Sequence, residues 1–213
     1  MDEPPAPALT RVRRLFLVRH GESTWNADGR WQGQADPPLT HLGERQARSA
    51  AAAVARLGPV LVVASDLERA RRTAELLAPD GIVLDLDPAF RERDAGEWTG
   101  LTRQQIDEQY PGDLAAWRSP PHFEGDEPLL ARVIPALEGC FDRIPTGGCG
   151  IVVTHGGVIR TVERVQHAPS VPVPNLGGRW LHVDGDAAMA LGDRDVLIDP
   201  DDDEVALTVP EQI

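Results

Sequence analysis

Two short stretches of the chain each place a histidine and a glycine directly after an apolar run. The stretch LFLVRHG contains Arg19 and His20, and the stretch IVVTHGG contains His155. A third apolar run, LVVAS, is followed by Arg69 on the first turn of a predicted helix. Arginine grips two phosphoryl oxygens with its planar guanidinium, and a neutral imidazole can act as a nucleophile. Together these four side chains would form a site for a compact dianion, and phosphate fits best.

These side chains meet only if the runs that carry them are neighbouring strands. Short continuous apolar runs are typical of strands buried on both faces of a parallel sheet, and ligands of such sheets bind beyond the carboxyl ends of the strands. Because predicted strands alternate with predicted helices, we predict an α/β fold, a three-layer α/β/α sandwich with a largely parallel central sheet. The predicted strands cover 15–18, 60–64, 82–86, 150–154 and, as edge strands, 180–183 and 187–191; the predicted helices cover 40–57, 65–77, 102–110, 127–143 and 157–165.

Capping patterns indicate where two of these helices begin and where one of them ends. Thr40 precedes the first helix, which Gly58 ends. Ser65 with Glu68 has the spacing of a capping box at the start of the second helix.

We expect one main domain in the 213 residues, spanning residues 13–198. Residues 1–12 are acidic and proline-rich and are predicted to form a flexible leader, and residues 199–213 are predicted to form an acidic C-terminal tail. The stretch DPDDDE in that tail lacks the central glycine and the distal glutamate of a calcium-binding loop, which favours a solvated segment.

Composition narrows the classes of function. All 21 basic residues are arginine, which excludes a phosphate-binding lysine of the Walker type and any Schiff-base chemistry. The net charge of −13 argues against nucleic acid as a partner. No apolar run is long enough to cross a bilayer, so we expect no membrane partner and a cytoplasmic protein. Cys140 and Cys149 are expected to be free thiols, and no cysteine–histidine cluster predicts a metal site.

Six motifs together resemble the histidine phosphatase superfamily, the phosphoglycerate mutase-like proteins. They occur in the order of that family and span residues 15–165, so we predict a histidine phosphatase-like domain. The motifs are RHGESTWN at 19–26, RWQGQAD at 30–36, PLT with a glycine three residues later at 38–43, SDLERARRTA at 65–74, RERDAGEWTG at 91–100 and THGGVIR at 154–160.

The resemblance implies a role for each catalytic residue. His20 would be the nucleophile that becomes phosphorylated, and Arg19, Arg69 and His155 would bind the phosphoryl group. Glu92 would be the proton donor.

Two neighbouring acids compete with Glu92 for the role of proton donor. These are Asp94 and Glu97, and we place Glu92 ahead of them because it precedes the GEWTG turn as the acid of the family does. The chemistry requires no metal and no cofactor.

The resemblance also implies a set of residues that line the substrate. These are Asn26, Gln32, Gly33 and Gly156. Glu22 is expected to brace the first loop, and Trp31 and Trp98 are expected to be packing residues. The implied ligand is a small phosphorylated metabolite of the sugar or glycerate phosphate type.

The family contains both hydrolases and mutases, and the sequence favours a hydrolase. The predicted lid, residues 98–128, holds only Arg103 and Arg118 against six acids, which suits a bisphosphorylated intermediate poorly. Gly157 follows the second HG pair, where mutases of the family typically carry asparagine. The lid departs from the family at EGDEP, residues 124–128, so the sequence does not name the substrate.

Three functions therefore stand as hypotheses. The first is a metal-independent phosphomonoester hydrolase that acts through phosphohistidine. The alternatives are a cofactor-dependent phosphoglycerate mutase and a noncatalytic phosphate-binding scaffold. The sequence leaves the oligomeric state open, with a homodimer as one option.

Overall fold

The computed structural model describes residues 11–116, 118–169, 171–198 and 205–209. These residues form six strands and six α-helices. In chain order the elements are β1 (Val12–Arg19), α1 (Thr24–Ala27), α2 (His41–Leu57), β2 (Leu61–Ala64), α3 (Glu68–Leu77), β3 (Leu84–Leu86), α4 (Arg103–Gln109), α5 (Asp126–Arg143), β4 (Cys149–Thr154), α6 (Gly156–Val165), β5 (Gly177–Asp184) and β6 (Ala190–Val196).

The strands form one sheet in the order β3-β2-β4-β1-β5-β6. The pairs β3–β2, β2–β4 and β4–β1 are parallel, whereas β5 runs antiparallel to both of its neighbours. The predicted α/β fold with a largely parallel sheet is therefore confirmed. The prediction that 180–183 is an edge strand is wrong, because β5 lies between β1 and β6 and pairs with β1 over seven residues from Val12 to Val18.

Alternate residues of the central strands face two separate layers of helices. Leu15 and Leu17 pack with the buried faces of α5 and α6, while Phe16 and Val18 pack with those of α2 and α3. All four side chains are fully buried. The arrangement is the predicted three-layer sandwich, and it explains the continuous apolar run, since a strand covered on both faces has no solvent side.

The helix ends follow two of the predicted capping patterns and depart from the third. Thr40 accepts a hydrogen bond from the backbone of Gly43 at the start of α2, and Gly58 ends this helix in the left-handed conformation. The capping box predicted for Ser65 and Glu68 is wrong: α3 begins after Leu67, without a side-chain cap. The hydroxyl of Ser65 instead lies 2.9 Å from the imidazole of His155.

A buried carboxylate anchors α6 to the antiparallel end of the sheet. Glu163 is fully buried and accepts hydrogen bonds from Arg179 on β5 at 2.7 Å and from Arg194 on β6 at 2.5 Å. Two arginines compensate for the loss of hydration of this carboxylate, as a buried charge requires. The helix is thus fixed to strands that lie beyond β1.

The chain ends differ in part from the prediction. Residues 1–10 of the predicted leader and residues 199–204 and 210–213 of the predicted tail lie outside the described residues. Val12 already belongs to β1, and Val205 is buried in the same core cluster as Phe16. Cys140 and Cys149 are free thiols, as predicted, and both are buried. No helix in the described part of the chain is long and apolar enough to span a membrane.

Candidate active site

An open cavity lies at the carboxyl ends of β1 and β4. The strands end at Arg19 and Thr154, so the histidine that follows each of them is delivered to this edge of the sheet. The cavity is lined by Arg19, His20, Trp31, Gln32, Gly33, Arg69, Glu92, Arg93, Ala95, Phe123, Gly156, Gly157 and Arg160.

Hydrogen bonds of the His20 ring define which of its nitrogens is free to react. Nδ1 lies 2.6 Å from the carbonyl oxygen of Gly21, which can only accept, so Nδ1 carries the proton. Nε2 is then unprotonated, and the Nε–H of Arg69 donates to it at 3.3 Å. The ring is therefore held with a lone pair on Nε2 beside a guanidinium group, which is the state that a nucleophile requires.

The two predicted phosphate-binding arginines are buried beside this ring. Arg69 is fully buried, and its two terminal nitrogens donate to the carbonyls of Ala35 and Gly33. Arg19 donates to the carbonyl of Val173 at 2.7 Å, while its Nε has no hydrogen-bond partner within the described residues. Burial, and to a smaller extent repulsion from Arg160, lowers the pKa of Arg19 to about 9. Burial also lowers the pKa of Arg69, to about 10. Both groups are still cations at neutral pH and are poorly compensated, which favours an anionic ligand.

His155 lies across the site from His20, with the ring centroids 5.1 Å apart. Its Nε2 is 2.9 Å from the hydroxyl of Ser65, and its Nδ1 has no partner among the described residues. The role of Ser65 as the residue that orients this ring was missed in the sequence, because its spacing to Glu68 resembled a capping box.

Both histidines are neutral in the folded protein. Burial lowers the pKa of His20 and that of His155 well below the usual range, and the nearby charges of Arg69 and Arg19 lower them further. The cause is physical, since a positive ring would lose hydration and face two fixed cations.

We predict that acidification from about pH 7.5 to about pH 5.5 lowers the free energy of unfolding. In this range the unfolded chain takes up protons on these two histidines, whereas the folded protein does not, so protons favour unfolding. Urea denaturation at both pH values measures the effect, and the variant His155→Gln should show a smaller loss. An unfolding free energy that rises on acidification would contradict the prediction.

Glu92 is the acid that reaches the cavity. One carboxylate oxygen accepts from the backbone of Arg93 at 2.8 Å, and the other accepts from the backbone of Gly157 at 3.0 Å, at the start of α6. Asp94 and Glu97, the competing candidates, are bonded elsewhere: Asp94 accepts from the backbone of Gly96, and Glu97 accepts from Tyr110.

Gly157 permits this position of Glu92. A Cβ atom built on Gly157 would lie 2.3 Å from an oxygen of the Glu92 carboxylate. Any side chain at this position would therefore move the acid or the helix. Contact with Glu92 thus gives a steric reason for glycine at position 157, where mutases of the family typically carry asparagine.

Three of the four predicted substrate-lining residues border the cavity. These are Gln32, Gly33 and Gly156. Asn26 does not border it; its side-chain oxygen accepts from the backbone of Ser23 in the first loop and from the side chain of Asn175, which precedes β5. Glu22 accepts from Thr40 and so braces the loop, as predicted.

A second open cavity adjoins the first and was not predicted. Trp31, Arg93, Phe123, Gly157 and Arg160 line both cavities. The second is lined in addition by Arg118, Arg164, Trp98, Leu114, Ser119, Asp126 and Thr161.

This second cavity changes the count of cations available to a substrate. The sequence argument counted arginines of the lid alone, whereas Arg93, Arg160 and Arg164 enter from outside it. Arg93 and Arg164 are paired with Asp126. Trp31 and Trp98 were predicted to be packing residues, and they pack on each other edge to face with ring centroids 5.0 Å apart. Trp31 also forms a wall of both cavities.

The chain is similar to several known phosphoryl-transfer proteins. It is 35% identical to a glucosyl-3-phosphoglycerate phosphatase of Mycobacterium tuberculosis, over 82% of this chain and 86% of that protein. It is 38% identical to a probable phosphoglycerate mutase of Cronobacter sakazakii, over 67% of this chain and 69% of that protein. Among solved structures, it matches a mycobacterial glucosyl-3-phosphoglycerate phosphatase in complex with VO3 with a TM-score of 0.73 and 31% identity, covering 84% of this chain and 97% of that one.

The model of the histidine phosphatase superfamily (branch 1) matches residues 15–180. That range includes β1 from Leu15 onward, all of β4 and every residue that lines the first cavity. The chain therefore belongs to the histidine phosphatase superfamily.

Proposed function

We propose that the protein is a metal-independent phosphomonoester hydrolase that acts through a phosphohistidine at His20. One observation carries the proposal: an unprotonated nitrogen of His20 lies 3.3 Å from the Nε of a buried arginine, Arg69, in a cavity that Glu92 also lines. We also propose a cytoplasmic location, because both thiols are buried and unpaired.

In the first step, Nε2 of His20 attacks phosphorus in line and the ester P–O bond breaks. Arg19, Arg69 and His155 stabilise the charge that spreads over the phosphoryl oxygens in the transition state. The ring becomes positive while Nδ1 keeps its proton, and the carbonyl of Gly21 stabilises that charge. The leaving oxygen takes a proton from Glu92.

In the second step, water attacks the same phosphorus and the P–N bond breaks. Glu92 now accepts a proton from the attacking water, and His20 returns to its starting state with Nδ1 protonated. One carboxyl group can serve both steps, because the first step leaves Glu92 deprotonated, as the second requires, and the second step protonates it again. Dividing the hydrolysis into two transfers means that substrate and water need not be positioned at the same time.

The second cavity supports a substrate whose leaving group is itself anionic and cyclic. Arg160 lines both cavities, so it can contact a group beyond the phosphoryl site, and Trp31 and Phe123 offer flat walls to a sugar ring. We propose a sugar–glycerate phosphate as the substrate class. The similar phosphatases are named for glucosyl-3-phosphoglycerate, which combines these groups.

The arginines of the second cavity also fit the mutase hypothesis. A mutase must retain an intermediate with two phosphates and a carboxylate, and the second cavity offers more cations than the lid sequence indicated. The similarity to a probable phosphoglycerate mutase points the same way. Gly157 still favours the hydrolase, because the asparagine typical of mutases cannot occupy this position without displacing Glu92.

A panel assay separates the hypotheses. Phosphate release is measured with chelator present from p-nitrophenyl phosphate, sugar phosphates, 3-phosphoglycerate and glucosyl-3-phosphoglycerate. We expect hydrolysis, with the highest kcat/KM for the sugar–glycerate ester. Absence of turnover would favour the scaffold, interconversion of phosphoglycerates faster than hydrolysis would favour the mutase, and loss of activity with chelator would contradict the metal-free mechanism.

The variant Arg160→Gln tests the proposed contact with the leaving group. We expect KM for glucosyl-3-phosphoglycerate to rise about tenfold, because one charge-assisted hydrogen bond is lost, while KM for p-nitrophenyl phosphate stays within about twofold. Arg103→Gln is the matched control, since Arg103 is an exposed arginine that lines neither cavity. Equal changes in KM for both substrates would assign Arg160 to the phosphoryl group instead.

A further inference from the structure

The C-terminal segment, residues 205–209, lies beyond the range that the family model matches. It runs against the core beside α2, where Val205 is buried. Polar groups of Ala206 and Thr208 form hydrogen bonds with two buried amide side chains, those of Asn175 and Gln46. Each of these amides in turn holds the loop that carries the nucleophile.

Asn175 connects the segment to the backbone of His20. The Thr208 hydroxyl donates to Oδ1 of Asn175 at 2.7 Å, and the backbone N–H of Asn175 donates to the carbonyl of Thr208 at 2.9 Å. The Nδ2 of Asn175 donates to the carbonyl of His20 at 2.8 Å and to Oδ1 of Asn26 at 3.4 Å. The amide of Asn175 is thus fixed at its oxygen by the segment and bonded at its nitrogen to the nucleophile.

Gln46 connects the same segment to the backbone of Glu22. Its Nε2 donates to the carbonyl of Ala206 at 2.9 Å and to the hydroxyl of Thr208 at 3.0 Å. Its Oε1 accepts from the backbone of Glu22 at 2.8 Å. The Thr208 hydroxyl therefore donates to one amide and accepts from the other, which fixes the orientation of both.

These contacts hold the loop on both sides of Gly21. The carbonyl of His20 and the N–H of Glu22 flank that residue, and the carbonyl of Gly21 accepts from Nδ1 of His20. A shift of the loop peptide would therefore rotate the imidazole and move Nε2 away from Arg69. Because a nucleophile must be held close to its productive geometry, this support affects the chemical step.

We propose that Thr208 is a positioning residue, through which the C-terminal segment sets the orientation of His20. It touches neither substrate nor the reacting atoms and acts through Asn175 and Gln46. The inference rests on the proposed function, in which His20 is the nucleophile.

The test compares two substitutions of Thr208, each of which removes one group of its side chain. Thr208→Val keeps the shape and removes the hydroxyl, whereas Thr208→Ser keeps the hydroxyl and removes a methyl group. We expect Thr208→Val to lower kcat for p-nitrophenyl phosphate about tenfold with KM within about twofold, and Thr208→Ser to stay near the parent. Val209→Ala is the control within the same segment, because the Val209 side chain is 50% exposed.

A second measurement separates positioning from stability. The folded fraction is measured by circular dichroism, and kcat is expressed per folded molecule. The ¹⁵N shifts of the His20 ring, which report the protonated nitrogen and its hydrogen bond, should change in Thr208→Val and be restored in Thr208→Ser. If Thr208→Val is too unstable to measure, Gln46→Met removes the second amide and is expected to change the same two quantities.

The possible results are distinct. A parent protein without turnover would contradict the proposed function itself. An active parent whose Thr208→Val variant keeps its kcat per folded molecule and its ring shifts would overturn the inference and leave the proposed function intact. Equal losses in Thr208→Val and Thr208→Ser would also overturn it, because the hydroxyl would then be irrelevant.

Discussion

Replacing His20 with alanine is expected to lower kcat by about 10⁴-fold or more for every substrate that the protein hydrolyses. The reason is that the other groups of the site stabilise transferred charge but offer no equivalent nucleophile at the end of β1. Arg19, Arg69 and His155 would still bind phosphate, so the dissociation constant of inorganic phosphate should change far less than kcat. Phosphate release and phosphate binding to the same preparation measure both quantities.

A covalent intermediate provides the direct check. Brief exposure of the parent to labelled substrate, followed by alkaline quenching, should leave one phosphoryl group on His20, and His20→Ala should carry none. The exposed His122 provides the matched control, since His122→Ala should retain activity and labelling. Substantial turnover by His20→Ala, or labelling at another residue, would be incompatible with the proposed mechanism.

Adding a single methyl group at Gly157 is expected to lower kcat about a hundredfold. The new Cβ would lie 2.3 Å from the Glu92 carboxylate, so the acid must leave the position from which it exchanges protons with the leaving oxygen and with water. General acid–base catalysis by a positioned group contributes roughly 10²–10⁴-fold, and Gly157→Ala should forfeit a large part of it. Steady-state kinetics with p-nitrophenyl phosphate measures the loss.

A double-mutant cycle assigns the loss to Glu92. If Gly157 acts only through this acid, the variant Gly157→Ala with Glu92→Gln should be no slower than Glu92→Gln alone. Gly139→Ala is the control, because a Cβ on this helical glycine of α5 meets no atom within 4 Å and so should leave kcat unchanged. Losses that multiply in the double variant would show that Gly157 has a separate role.

Patterns with one physical cause were predictable from the sequence. Strands buried on both faces give continuous apolar runs, so β1 and β4 and the convergence of His20 with His155 followed directly. The ends of α2 were also predictable, because Thr40 and Gly58 act on their own backbone.

Features that depend on the spatial arrangement of distant residues were not predictable. Ser65 has the spacing of a capping residue, yet its hydroxyl bonds to His155, which lies far along the chain. Arg160 belongs to the motif THGGVIR, but its position as a lining residue of both cavities follows only from the fold. The contact of Thr208 with Asn175 has no sequence signature. Thr208 follows an acidic stretch, and the composition of that stretch predicted a solvated tail.

The anchoring of α6 by Glu163 has a consequence for how this enzyme could diversify. One end of the helix is fixed to β5 and β6, while its first residues, Gly156 and Gly157, border the phosphoryl site. The segment around Leu114 and Ser119 contributes to the second cavity alone. Under the proposed function, mutations in that segment would alter which alcohol is accepted and leave the groups of the phosphoryl site in place, so new specificities would arise on an unchanged catalytic frame.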